Sequence, residues 1–292
     1  MKFSTSLIVF ISAAVSVCAS TVPKAPIDDT TILNYALTLE HLENAFYAGA
    51  LSNFSQEDFV HDGLPTWARG RFVQVAAHEK THVDFLSAAL GPNATKPCTY
   101  SFPYTSPSTF AALSAALEGV GVSAYAGAAQ LITNKDYLTA AAVILSTEAR
   151  HAAWVNSAVN KQNPWSGAFD TPLSLDVVYT LAAQFIVSCP KTNPALPVKA
   201  FPSLTLASPK AGQPSEVTAA SGVPTEGNYV AFFSGLATTF VQVQSGCVII
   251  PSTAAGTSYA VLTNSNSTAN VTTILAGVAI VTLPFNSEGK PE

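Results

Sequence analysis

Charge is scarce in this chain: Asp, Glu, Lys and Arg make up only 11% of its 292 residues, and the net charge is −5. So thinly charged a surface has neither the basic field that captures nucleic acid nor a strongly acidic tail. Cysteine is sparse too, with four in all, and no C-x-x-C pair among them. Also missing are the G-x-S-x-G elbow of serine hydrolases, the P-loop and the dinucleotide-binding glycine loop. Nucleic-acid binding, serine-hydrolase chemistry and nucleotide-dependent catalysis therefore have no anchor. Hydrophobic residues, in contrast, reach 48%, which argues against disorder and provides a substantial core.

The N-terminus, MKFSTSLIVFISAAVSVCAS, has one lysine, an apolar run from Leu7 to Val17 and a small-residue cleavage site at Val17-Cys18-Ala19. That is the layout of a secretory signal peptide over residues 1–19. It predicts a secreted protein, extracellular or in the cell wall, in a compartment that permits disulfides. Three cysteines then remain. Cys98 lies in a Pro-rich connection and Cys189 at the end of a predicted helix, so these two are expected to pair. Cys247, inside VQVQSGCVIIP, reads as a buried strand thiol. Four N-x-[ST] patterns, at Asn53, Asn93, Asn266 and Asn270, predict exposed glycan-bearing loops.

Composition shifts near residue 200. Before it the chain is rich in Ala and Leu at helical spacing; after it come short runs such as YVAFF, TFVQVQ, SYAVLT and GVAIVTL between turn residues. A helical domain over residues 28–190, followed by a small all-β domain over 201–292, is the expected organisation. The β part has room for some seven strands, which suits an immunoglobulin-like sandwich.

Helix signals divide the first part into a helix from Asp29 or Thr30 to about Leu51 and a second from after Pro65-Thr66 to Gly91. A third is capped by Ser106 with Pro107 in its first turn, a fourth is capped by Thr133 or Asn134 and stops before Pro164, and a short fifth runs from Thr171-Pro172 to Pro190. Residues 91–105 are far longer than antiparallel neighbours need and can span the bundle at about 3.3 Å per residue. One long crossover between the second and third helices is the ferritin-like topology of four-helix bundle. The third helix, FAALSAALEGVGVSAYAGAAQLI, is apolar enough to suggest a membrane span, but Glu118, Gln130 and three glycines favour a helix enclosed by protein. No membrane span is expected once the leader is removed.

Within these helices the polar residues repeat. LEHLENAFYAGA at 39–50 aligns without gaps on LEGVGVSAYAGA at 117–128, and EKTHVDFLSAAL from Glu79 aligns on EARHAAWVNSAV from Glu148. The order is Glu, E-x-x-H, Glu, E-x-x-H. Residues at i and i+3 share a helical face, so Glu79 with His82, and Glu148 with His151, can each offer a carboxylate and an imidazole to one point in the interior. Glu40 and Glu118 complete four carboxylates and two imidazoles, all near mid-helix. Four buried carboxylates without cations would be very costly, and oxygen and nitrogen ligands suit iron or manganese. Two such ions are expected, with Glu79 and Glu148 bridging.

Around this set, Glu43 lies at i+3 from Glu40 and competes with it or joins it, although its counterpart in the repeat is Gly121. Tyr47 and Tyr125 share the face of the glutamates seven residues before them and read as core aromatics with bonded hydroxyls or as neighbours of the ligands. Arg150 either pairs with a ligand carboxylate or reaches solvent. His41 and His78 face away from their neighbours' ligand stripe and are expected either to be solvated or to sit behind the ligands.

LEHLENAFY, HEKTHVDFL and STEARHAAWV resemble the ferritin-like domain of secreted fungal stress-response proteins of the Rds1 type and of plant desiccation-related proteins. The resemblance covers roughly residues 28–190 and implies a di-metal carboxylate fold with Glu40, Glu79, His82, Glu118, Glu148 and His151 as ligands. It implies less about activity. Two functional expectations follow: a di-iron or di-manganese oxidoreductase acting on O2 or peroxide, catalase-like or oxidase-like, or a non-enzymatic cell-surface or cell-wall protein whose metal site is stabilising or vestigial.

Overall fold

The computed structural model describes residues 27–290; the leader expected over residues 1–19, with Cys18, lies outside the described residues. The first long helix, α1 (Asp29–Asn53), starts where the Asp28 carboxylate accepts a hydrogen bond from the Thr31 N–H at 2.8 Å, relieving one of the unpaired donors of the first turn. A short α2 (Gln56–His61) follows, closed by a capping box between Ser55 and Asp58. Six residues are too few to build a periodic pattern, which is why the sequence reading passed over it. Then come α3 (Ala68–Leu90), α4 (Pro107–Ala128) and α5 (Lys135–Trp154). Ser106 and Asn134 cap the last two, and α5 continues into a π turn, Val155–Val159.

The connection after α3 runs the length of α1. The Thr95 N–H bonds the Asn34 side chain, His41 donates to the Thr95 carbonyl, and the Tyr104 hydroxyl reaches Gly49. It delivers α4 to the far end of the bundle, where the Ser108 N–H meets Asp62. This is the long crossover. At its middle a two-stranded ribbon, β1 (Thr99–Tyr100) with β2 (Ile186–Ser188), adjoins a disulfide between Cys98 and Cys189.

The fifth predicted helix is corrected. Only α6 (Leu175–Ala183) is helical; Thr171–Leu173 is extended, with the Leu173 N–H bonded to the Ser123 carbonyl of α4. That contact needs Gly127, since a Cβ there would lie 1.8 Å from the Leu173 carbonyl oxygen. Downstream, pairing with β1 draws residues 186–188 into a strand.

Seven strands follow: β3 (Leu204–Leu206), β4 (Pro214–Ala219), β5 (Tyr229–Ser234), β6 (Ala237–Gln242), β7 (Cys247–Ile249), β8 (Gly256–Thr263) and β9 (Ile274–Leu283). They form two antiparallel sheets, ordered β3-β4-β7 and β6-β5-β8-β9, a two-sheet, seven-strand arrangement of immunoglobulin-like type. Val230, Phe232, Val248, Ala260 and Leu262 fill the sandwich. The opposite face of the larger sheet, with Ala231, Tyr259 and Val261, joins Val120, Ala124 and Val178 of the bundle in one core. Strands covered on both faces need no polar alternation, hence the unbroken runs YVAFF and SYAVLT. Cys247 is half-exposed, correcting its reading as a buried thiol; Val248 beside it takes the inward position, and side chains alternate along a strand.

Candidate metal centre

Four glutamates with no exposed surface, Glu40, Glu79, Glu118 and Glu148, meet at mid-bundle from α1, α3, α4 and α5. His82 and His151 reach the same place. His82 Nδ1 lies 3.1 Å from Glu79 Oε2 and 3.3 Å from both Glu40 Oε2 and Glu148 Oε1. His151 Nδ1 lies 3.1 Å from Glu118 Oε2 and 3.2 Å from Glu79 Oε1. The donor atoms fall into two groups, Glu40, Glu79, His82 and Glu148 on one side and Glu79, Glu118, Glu148 and His151 on the other, each within 4.8 Å. Glu79 and Glu148 belong to both.

Whether these residues fit metal ions is tested by their unsatisfied atoms. Among the described residues, five buried side-chain oxygens lack a hydrogen-bond partner, and four of them are Glu40 Oε2, Glu79 Oε1 and both oxygens of Glu148. Buried acceptors left without donors are costly, and here they converge where cations would satisfy them. The donor set fits.

Electrostatics agree. Burial, reinforced by neighbouring carboxylates, pushes Glu148 and Glu43 well above the usual carboxylate range, and burial lifts Glu40 to about 7. Burial also pushes Glu79 upward, but the close imidazoles of His151 and His82 outweigh it and leave Glu79 below its ordinary value. Burial opposes charging the imidazoles, yet hydrogen bonds to Glu40 and Glu79 raise His82 to about 10, and those to Glu118 and Glu79 raise His151 to about 9. Protons thus occupy the role that cations would take, and a metal must displace them.

The tyrosines are crossed. Tyr47, in the first helix pair, donates to Glu118 of the second, and Tyr125 donates to Glu40 of the first. Tyr47 also meets Ser114 at 2.7 Å. Arg150 does not reach the carboxylates; it points to solvent and bonds Thr147 at 3.0 Å. Glu43 joins neither group but crowds Gly121, where an added Cβ would lie 3.2 Å from Glu43 and 3.0 Å from Glu148. A side chain there would crowd both carboxylates, which fits glycine at the point where the repeat breaks.

His41 does face away, bonded to Thr95. His78 does not face away, a correction, but sits behind a candidate ligand, one of the two places expected for it: its Nδ1 lies 2.9 Å from His151 Nε2, and the two rings stack. His78 is exposed, so it joins the buried centre to the surface. A histidine directly before the E-x-x-H run was the available signal; one residue outside the stripe, the π-face and ring reach of imidazole still bridge the gap between helices. The four asparagines, Asn53, Asn93, Asn266 and Asn270, are all exposed.

A four-helix bundle with one long crossover and paired carboxylate–histidine groups defines a ferritin-like protein. The family model described as ferritin-like domain matches residues 28–161, from the cap of α1 to the end of the π turn. Residues 28–161 are thus similar to the ferritin-like domain, and the described helices have its bundle fold. Protein rds1 of Schizosaccharomyces pombe is 29% identical over 184 residues, covering 62% of this chain and 45% of that protein. The chain therefore spans less than half the length of this relative.

Proposed function

We propose that the bundle holds two ions of iron or manganese, the first between Glu40, Glu79, His82 and Glu148 and the second between Glu79, Glu118, Glu148 and His151, and that the protein performs redox chemistry on O2 or peroxide outside the cell. The observation that carries this reading is the convergence of orphaned carboxylate oxygens, with Glu79 and Glu148 common to both groups. Bound iron or manganese would supply one-electron redox capacity and Lewis acidity. This chain's residues do the rest. Tyr47 and Tyr125 orient the terminal carboxylates, and burial holds both phenols protonated. His78 sets which ring nitrogen of His151 faces the carboxylates. A narrow apolar cavity of about 30 Å³, lined by residues such as Ile32, Ala124 and Ala141, ends on Glu40 and Glu43 and suits a substrate no larger than O2 or peroxide.

The leader, the Cys98–Cys189 disulfide and four exposed N-x-[ST] asparagines support secretion, in the extracellular space or the cell wall, as a glycoprotein. One helix, Pro107–Leu131, is long and apolar enough to cross a membrane, but it is mostly buried and carries Glu118; in this reading it is a bundle helix. The resemblance to Rds1-type and desiccation-related proteins links the reading to stress. A second reading, a cell-surface protein whose metals only stabilise the bundle, draws on the complete burial of all four glutamates. Elemental analysis of the secreted protein, with peroxide and O2 consumption measured across pH, separates them. About two ions per chain with turnover supports the oxidoreductase; ions without turnover supports the structural protein; fewer than about one ion per chain overturns both.

A further inference from the structure

A second cavity, of about 110 Å³, lies between α1 and α4 and has no part in either ligand group. Its walls come in pairs from the internal repeat: Leu39 with Leu117, Leu42 with Val120, and Glu43 with Gly121. It therefore sits on the axis that relates the two helix pairs. Its roof breaks that symmetry, because it comes from Leu181 of α6, from Phe185 just beyond, and from Ile280 of β9. The β domain completes that roof with a single side chain, Ile280.

The lining is apolar apart from Glu43 and the exposed Gln184. Glu43 is 6% exposed. Its surroundings are other carboxylates and apolar groups, and no hydrogen bond to it forms among the described residues. A buried carboxyl facing an apolar space without a partner costs free energy that a bound polar group would recover. Dry apolar cavities of roughly 150 Å³ bind a benzene-sized molecule, and this one, partly open at its roof, is close to that size.

We infer that this cavity is a binding site for a small apolar molecule with one hydroxyl, about one ring in size, whose hydroxyl meets Glu43 while its body lies between α1, α4 and the roof. Glu43 neighbours Glu148 across Gly121, so the bound molecule rests beside the carboxylate cluster. The binding claim stands without metal in that cluster.

Phenol is the probe, titrated by calorimetry into the full secreted chain, once loaded with metal and once stripped. Saturable binding in both forms is expected. Glu43→Gln, which keeps the shape, should retain it within a few-fold, whereas Glu43→Leu should weaken phenol about tenfold and leave toluene unchanged, the loss of one hydrogen bond. Ala116→Phe, which fills the cavity, should abolish binding of both. If that variant does not fold, the phenol-to-toluene contrast in Glu43→Leu decides alone. Absence of saturable binding in both forms overturns the inference, as does binding confined to the loaded form, which would put phenol on the metal and leave the metal reading intact. Low metal content with phenol binding preserved would overturn only the metal reading.

Discussion

The two helix pairs, α1 with α3 and α4 with α5, carry the same ligands at the same spacing, yet they pack the two ends of the bundle in opposite ways. Beyond the glutamates toward one end lie Phe46, Phe72 and Phe110, with ring centroids 4.8 and 4.9 Å apart around Phe110. At the same offsets in the other half stand Ala124, Ala141 and Ile32. The aromatic end is filled by a ring cluster, and the alanine end lines a cavity whose walls include Glu40 and Glu43. Both pairs bring the same carboxylates and imidazole to the centre, where Glu79 and Glu148 belong to both donor groups. Packing is not repeated in this way: one end is filled with rings and the other keeps a cavity.

The largest effect expected from breaking this symmetry falls on the shared ligands. Glu79→Ala or Glu148→Ala should each drop metal from about two per chain to below one, whereas Glu40→Ala or Glu118→Ala should leave about one, measured by elemental analysis of folded protein. Equal losses from all four would mean that no carboxylate is shared.

Next comes the contrast of ends. Phe72→Ala should cost about 3–5 kcal/mol in urea unfolding, because a fully buried ring is removed from a filled cluster. Its counterpart Ala141→Phe should cost at most about 1–3 kcal/mol, since part of the ring enters existing space. Similar penalties would show the two ends equally packed.

Metal-free and metal-loaded chains should also respond oppositely to pH. In the metal-free protein Glu40, at about 7, and His82 and His151, at about 10 and 9, all hold their protons more tightly folded than unfolded. Stability from such groups is complete below their unfolded values and lost as pH rises through the folded ones. The metal-free chain should therefore weaken between about pH 5 and pH 10, while metal binding, which releases those protons, should stabilise more over the same range. Thermal unfolding of both forms at about pH 6 and pH 9 tests this; parallel trends would break it.

A smaller asymmetry concerns His78, which has Thr147 as its counterpart. His78→Ala should lower metal affinity about 10–100-fold, the usual effect of losing a partner to a ligand histidine. Thr147→Ala, whose side chain meets Arg150, should leave competition titrations unchanged.

Much of this was legible in one dimension. The Glu, E-x-x-H order named six side chains that the bundle brings together, since i and i+3 on a helix share a face whatever the surroundings. Start signals at Asp29 or Thr30, at Ser106 and at Thr133 or Asn134, and the excess length of residues 91–105, located the long helices and the crossover for equally local reasons. Where the reading failed, the deciding contact came from a distant segment. Thr171–Leu173 was drawn out of helix by the Ser123 carbonyl and the bare backbone at Gly127. His78 turned toward the centre because His151 offered a nitrogen from another helix.

By itself, then, the sequence determined the six converging carboxylates and imidazoles, the repeat and the division into a helical and a β part, because these rest on periodicity and residue chemistry along the chain. Tertiary structure alone decided that Glu79 and Glu148 belong to both donor groups, that each tyrosine serves the opposite helix pair, that Glu43 stands over Gly121, and that α6 and β9 together roof a cavity against α1 and α4. Those are relations between segments far apart in the chain, and their geometry exists only once the helices and sheets have packed.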